Sequence, residues 1–434
     1  MGAIYRAEQI SLGKPVAILQ DLQGPRLRIN GFANGSATLR DGQEFTLTTR
    51  RVQGTDQRVS VIYPRLPQEV SRGDRILLHD GLIRLRVLET TRDSIRTLVE
   101  TGGVLTSKKG LNVPGVSIQA PPMTEKDLKD LEFGLRLGID YVALSFVRGP
   151  EDARIIREAM TRLKRKVPVI AKIERAEAVD ALDDILRAFD GVMVARGDLG
   201  VEIGPERVPL IQKRIIARAN ALLKPVITAT QMLESMVTNP TPTRAEASDV
   251  ANAILDGTDA VMLSEETSIG AYPVEAVRIM DRIAVEVDAA SVEREPPSMG
   301  PADPARAVVA AAHNLANEIK ARAIAVFTTS GRTALLIAKH RPQIPALAFV
   351  RSEAIYNRLA LYWGVSSVLT PFTIQTTEMI AFAEEVLVRA NVVKPGDRVV
   401  MVGSAPLTAR GRTNFIKAHT VQRKSRRSNG SVSL

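Results

Sequence analysis

Between residues 138 and 290 the chain alternates short apolar runs with amphipathic stretches, a rhythm that leaves few folds open. The runs are 141–146, 168–173, 191–195, 225–230 and 260–264, with another at 16–19. Short apolar runs separated by helix-length amphipathic segments read as βα units around a parallel sheet. Each of the five later runs closes on polar or glycine residues: Ser145, Glu174, Arg196-Gly197, Thr230 and Ser264-Glu265. Strand C-terminal ends are where βα-barrels carry chemistry, so five such closures together point to a site. Taken singly, each is equally an ordinary helix cap.

Between the run at 16–19 and the one at 141–146 the texture changes. Residues 24–115 are rich in Gly, Thr, Arg and alternating Val, Ile and Leu, and 58–61, 75–78, 82–88 and 94–99 read as strands of a small antiparallel domain. Inserted after a barrel strand, such a domain would sit over the mouth of the site as a lid. Residues 292–304 read as a linker. A helix at 305–319 and strands near 323–327, 346–350, 366–369 and 398–402 then predict an open α/β sheet.

The expected fold class is therefore α/β: a (β/α)8 TIM-type barrel, incomplete at about six strands, with an inserted β lid and a C-terminal open α/β domain. The expected boundaries are 1–23 and 119–292 for the barrel, 24–118 for the lid, 293–420 for the C-terminal domain and 421–434 for a basic flexible tail. A closed barrel takes eight strands. Either the barrel is incomplete, or two βα units that belong upstream of Met1 lie outside this sequence.

Composition narrows the chemistry. The 434 residues contain no cysteine, which excludes disulfides, thiolate metal sites and a cysteine nucleophile. No apolar run approaches the ~20 residues of a membrane-spanning helix, and nothing in the first twelve residues directs export, so a cytoplasmic protein with no membrane partner is expected. The net charge of +10 invites a nucleic-acid reading. Much of the excess, however, lies in Lys417, Arg423, Lys424, Arg426 and Arg427, and one Trp offers little base stacking. Basic residues elsewhere equally suit an anionic phosphorylated substrate.

Lys172 and Glu174, two residues apart at a strand end, project from the same face. Asp198 lies one strand over, and two carboxylates on adjacent strands suit Mg²⁺ or Mn²⁺, which complete their shells with water and substrate oxygens. A lysine beside them would neutralise a phosphoryl group in transfer. An internal Lys172–Glu174 ion pair is the competing reading. The turn Arg196-Gly197-Asp198-Leu199-Gly200 exposes backbone N–H groups that can hold a carboxylate or phosphate.

Longer motifs carry a family resemblance. Ala171-Lys172-Ile173-Glu174, Met193-Val194-Ala195-Arg196-Gly197-Asp198-Leu199-Gly200, Ala229-Thr230-Gln231-Met232-Leu233-Glu234-Ser235-Met236, Pro242-Thr243-Arg244-Ala245-Glu246 and Asp259-Ala260-Val261-Met262-Leu263-Ser264 resemble pyruvate kinase, in the family's order. Met123-Thr124-Glu125-Lys126-Asp127 and Leu144-Ser145-Phe146-Val147-Arg148 extend the match. The resemblance implies phosphoryl transfer from phosphoenolpyruvate to ADP in glycolysis. Glu174 and Asp198 would hold the metal and Lys172 the transferring phosphoryl group. Thr230 would stand beside the enolate carbon, and Ala195, Arg196, Gly197 and Asp198 would receive the substrate carboxylate. In the insert, Asp80 and Lys109 resemble residues near the nucleotide, and Arg28 an active-site arginine. Asp21 resembles a monovalent-cation ligand, while the basic Arg26 implies that K⁺ is not required. Thr328, Ser330, Gly331, Arg332 and Thr333 correspond to a loop that binds sugar-phosphate effectors, although a helix cap would look the same. A homotetramer is also implied.

The resemblance has gaps. The family's first two strands carry an arginine that grips the phosphoryl group, together with Asn and Ser cation ligands, and these have no counterpart here. Unless that segment is supplied, the polypeptide is therefore expected to be nearly inactive and poorly folded. Glu265 stands where glycine is common. A degenerate pyruvate kinase-like assembly partner and another metal-dependent enolate enzyme, such as an aldolase, remain the alternatives.

Overall fold

The computed structural model describes residues 14–290, 303–370, 376–405 and 413–422. The N-terminal residues 1–12, nearly all of the expected linker, and Arg423, Lys424, Arg426 and Arg427 lie outside them. The chain divides into two compact units, Leu19–Ala289 and Ala290–Leu434, the second including Met1–Ile18.

In the first unit, β1 (Leu19–Asp21) precedes a β-rich insert. The insert contains β2 (Ser36–Leu39), β3 (Glu44–Thr48), β4 (Arg58–Ser60), β5 (Arg75–Leu78), β6 (Ile83–Thr90), β7 (Ser94–Thr101), β8 (Gly103–Thr106) and β9 (Leu111–Asn112). The chain then forms β10 (Tyr141–Leu144), β11 (Val169–Ile173), β12 (Gly191–Ala195), β13 (Val226–Ala229) and β14 (Ala260–Met262). These pair with β1 into one parallel sheet in the order β1-β10-β11-β12-β13-β14. Six parallel strands with intervening helices form a curled, TIM-type half-barrel. β10, β12 and β13 are buried at every position, as strands covered on both faces should be. β14, at the edge of the described sheet, is half-buried throughout.

The first strand lies at 19–21 rather than 16–19. Its polar residues belong to the strand because they have partners there: the Gln20 amide donates to the Asp130 carbonyl at 2.7 Å, and Asp21 pairs in register with Ala143. An apolar run cannot reveal such positions.

Helix starts follow the sequence signals. Thr124 and Asp127 form a capping box on the helix Glu125–Leu137, which ends at Gly138 in the left-handed conformation (φ 78). Asp127 also accepts the Gly24 N–H at 3.0 Å, tying the root of the insert to that helix. Thr243 and Glu246 cap Arg244–Leu255 in the same way.

The insert has its own core around Phe45, Leu47, Ile76 and Leu85. Its larger sheet runs β4-β3-β7-β6-β5-β9 and is antiparallel except for the parallel β3–β4 pair. Two limbs of backbone form its neck, with Ile29 N–H on the Lys109 carbonyl (3.1 Å) and Leu111 N–H on that of Leu27 (3.0 Å). Arg148, after β10, donates to the carbonyls of Ile118 and Ala120 at 2.6 and 3.0 Å on the returning limb.

The second unit carries β15 (Ala323–Phe327), β16 (Ala346–Val350), β17 (Val365–Leu369), β18 (Arg398–Gly403) and β19 (Phe415–Thr420), in the order β17-β16-β15-β18-β19. All pairs are parallel except β18–β19, so this is an open α/β sheet with one antiparallel edge. Lys417 lies in β19 rather than in a tail. Val421 is buried and its carbonyl accepts from Gly396, so a flexible tail cannot begin at 421. No described helix is long and apolar enough to cross a membrane.

Candidate active site

Lys172 and Glu174 meet at the end of β11. The Lys172 ammonium lies 3.0 Å from Glu174 Oε1, 3.1 Å from Asp21 Oδ2 and 2.8 Å from Ser145 Oγ. The ion pair weighed from sequence therefore exists, but as part of a cluster drawn from three neighbouring strand ends. The other Glu174 oxygen accepts the Phe146 N–H at 2.6 Å, and Phe146 adopts φ 56, a conformation uncommon outside glycine.

Burial pushes the Glu174 carboxyl above its ordinary range; Lys172 pulls it back, and the nearby Asp198 charge adds to the rise. Burial works against the Lys172 ammonium, yet Glu174 and Asp21 outweigh it and leave its pKa raised. Glu174 follows β11 and Asp198 comes just after β12, and these two strands pair side by side, so the two carboxylates leave adjacent strand ends.

Arg196 opens the helix Arg196–Ile203, but its side chain is buried away from solvent. The guanidinium donates to the carbonyls of Thr230 and Gln231 at 2.7 and 3.1 Å, and to both Asp249 oxygens at 2.7 and 2.6 Å. Thr230 and Gln231 have φ 69 and 53, so Arg196 rivets a strained turn at the end of β13. The Thr230 hydroxyl accepts the Gly197 N–H at 2.9 Å and donates to the Ala229 carbonyl at 2.6 Å. Thr230 and the helix start thus share one spot, where an arriving carboxylate would compete for the Gly197 N–H.

From the insert, Arg26 Nη2 reaches Asp80 Oδ1 at 3.2 Å and Asp198 Oδ1 at 3.3 Å. Arg26 and Asp21 have different partners: the ion pair of Asp21 is with Lys172. Arg28 donates to the Lys108 carbonyl at 2.9 Å, bracing the neck. The Lys109 ammonium has no ion-pair partner among the described residues. A cleft of about 1140 Å³ opens between Arg75, Asp80 and Arg84 of the insert, Gly197 and Glu202 of the helix Arg196–Ile203, and Gln231 after β13. Lys172 and Glu174 do not line it.

The acids fit one divalent cation. No group of three or more metal-ligating side chains occurs among the described residues, and two carboxylates suit an ion that takes its remaining ligands from water and substrate. Asp21, Asp80, Glu174 and Asp198 face Arg26 and Lys172, which leaves two formal negative charges for a cation to neutralise. The mutual repulsion of Glu174 and Asp198 is what an ion between them would relieve.

Two family models account for nearly the whole chain: the pyruvate kinase barrel domain matches residues 1–277, and the pyruvate kinase alpha/beta domain matches residues 306–419. The chain belongs to the pyruvate kinase family. The pyruvate kinase of Geobacillus stearothermophilus is 48% identical over 417 residues, covering 94% of this chain and 71% of that protein. That of Mycobacterium tuberculosis is 44% identical over 416 residues, covering 96% and 88%. The crystal structure of a pyruvate kinase from Cryptosporidium parvum superposes with a TM-score of 0.89 at 32% identity, covering 96% of this chain and 86% of that one.

In the second unit of this pyruvate kinase family member, the expected effector loop connects β15 to the helix Arg332–Lys339. Thr328 Oγ1 accepts the Gly331 N–H at 3.0 Å, and Gly331 is left-handed at φ 85. The Ser330 hydroxyl faces the Arg332 N–H at 3.5 Å, and the Arg332 side chain pairs with Asp303. Thr333 is buried, its hydroxyl 2.8 Å from that of Thr413. The hydroxyls of Thr328 and Ser330 thus bond to backbone N–H groups within the loop, and Thr333 does not face solvent.

Sequence reasoning gave no role to Asp249 or Glu266, nor to Arg148, which it named only within a motif. Glu266 is buried and accepts the N–H groups of Leu233 and Ser264 at 3.0 and 2.7 Å, bracing the loops after β13 and β14. The available signal for Asp249 was that a buried Arg196 must have a counter-ion.

Proposed function

We propose that this chain transfers the phosphoryl group of phosphoenolpyruvate to ADP, giving pyruvate and ATP. Its family membership makes it a phosphotransferase, and the family uses a divalent metal. The observation that carries the residue-level reading is the convergence of Lys172, Glu174 and the Asp198 charge at adjacent strand ends.

Glu174 and Asp198 would hold Mg²⁺ or Mn²⁺. The chemistry such an ion supplies is charge neutralisation on the oxygens of the phosphoryl group and the enolate. The Lys172 ammonium would stabilise the phosphoryl group as its bond to the C2 oxygen breaks and one to the terminal ADP oxygen forms. The helix-start N–H groups at Gly197 and Asp198 would take the substrate carboxylate and release Thr230 Oγ1. Thr230 would then orient the water that protonates the enolate carbon, giving the ketone. Arg196 acts through Thr230 and is a positioning residue. Asp80 and Lys109 would face the nucleotide, with Arg28 holding the neck.

Arg26 brings a positive charge into the neighbourhood of Asp198, which supports turnover without K⁺. A sugar-phosphate effector at 328–332, a homotetramer and a cytoplasmic location complete the reading. The test is pyruvate release from phosphoenolpyruvate and ADP, with and without K⁺. Equal rates in both, cut sharply by Lys172→Met, are expected. A rate that requires K⁺ would remove the assignment to Arg26, and a rate indifferent to Lys172→Met would remove the site.

A further inference from the structure

Arg26 joins two acids from different parts of the first unit. Asp80 belongs to the turn between β5 and β6 of the insert, and Asp198 to the first turn of the helix Arg196–Ile203. Both ion pairs leave from the same nitrogen, Nη2, at 3.2 and 3.3 Å. The turn is tightly wound, with His79, Asp80 and Gly81 at φ 52, 55 and 87. A Cβ on Gly81 would lie 4.0 Å from Val201 Cγ2, so the turn faces that same helix. Behind the guanidinium stands the neck, where a Cβ on Gly110 would meet Arg26 Nε at 3.5 Å.

We propose that Arg26 is an ionic latch that competes with a divalent cation for Asp198. With no cation bound, the guanidinium neutralises Asp198 and, through Asp80, fastens the turn 79–81 of the insert over the helix. A cation on Asp198 repels the guanidinium and weakens the latch. This rests on reading Glu174 and Asp198 as the cation's ligands. The exposure of the pairs fits an exchangeable contact: the side chains of Arg26, Asp198 and Asp80 are 31%, 21% and 60% exposed. Ion pairs this open to water are weak enough to be broken by a competing ion.

The experiment measures Mn²⁺ binding to the full chain without substrates, by loss of the free-ion spin resonance signal, alongside amide exchange across residues 79–82. In the wild type, Mn²⁺ should speed exchange in the turn. Arg26→Gln should bind Mn²⁺ roughly two- to fivefold more tightly, the effect of removing one partly exposed competing charge. Its turn should exchange fast whether or not Mn²⁺ is present. Asp80→Asn should free the turn equally while binding Mn²⁺ no more tightly than the wild type, because Arg26 stays on Asp198. This second variant separates charge competition from simple opening of the insert. The latch is overturned if Arg26→Gln binds Mn²⁺ no more tightly than the wild type, or if Asp80→Asn tightens binding as much as Arg26→Gln. A wild type that binds no Mn²⁺ would overturn the ligand assignment of Glu174 and Asp198 and the latch with it.

Discussion

The Arg196 guanidinium grips both carboxylate oxygens of Asp249, 53 residues away, while its other edge holds the carbonyls of Thr230 and Gln231. One buried cation thereby couples the helix that carries Asp198 to the strained turn that carries Thr230. Removing its counter-ion should loosen both.

Asp249→Ala should cost about 2–4 kcal/mol in urea unfolding, because it strands a buried charge, and should lower kcat. Replacing Arg196 by Met together with Asp249→Leu should recover much of the stability but none of the rate. Equal recovery of both would show that the pair has no positioning role.

Lys172→Met leaves the buried Glu174 without its nearest cation. A stability loss of about 3–5 kcal/mol is expected, together with a fall in kcat of roughly 10²–10³-fold, typical of deleting one transition-state charge partner. Unfolding curves and pyruvate release measure the two separately.

Arg148→Gln removes a charged donor from the Ile118 and Ala120 carbonyls. Loss of about 1.5–3 kcal/mol of local stability follows for bonds to a charged group. Amide exchange at 116–120 should accelerate while that of β12 and β13 stays slow, and KM for ADP should rise more than kcat falls.

In the second unit, burial and the neighbouring His313 charge push the pKa of His340 down to about 4. The two rings stack with centroids 5.3 Å apart. Because the folded value lies below the ordinary 6.5, the unfolded chain takes up the proton first as pH falls. This contribution to stability is full above about pH 6.5 and is lost progressively towards pH 4, on the order of 2 kcal/mol after allowance for partial exposure. Unfolding midpoints of this unit at pH 7, 5.5 and 4 should show the slope, and His340→Gln should flatten it.

The sheet was legible because parallel strands buried on both faces must be nearly continuous apolar runs, as at Gly191–Ala195. Lys172 and Glu174 were legible as a pair because side-chain direction in a strand repeats every second residue. Strands such as Glu44–Thr48 and Gly103–Thr106 were not, since they are short and rich in Thr or Gly and gain their order from pairing across the insert. Asp249 and Arg148 escaped for a different reason. Their partners lie tens of residues away, and only the folded chain brings them together.

The central claim is that Glu174 and Asp198 jointly hold one divalent ion. Anomalous diffraction from crystals of the full chain soaked in Mn²⁺ tests it directly. The account predicts one strong peak within coordination distance of both carboxylates, absent in Glu174→Gln. A peak bound elsewhere, or one on Asp198 that persists unchanged in Glu174→Gln, would contradict it.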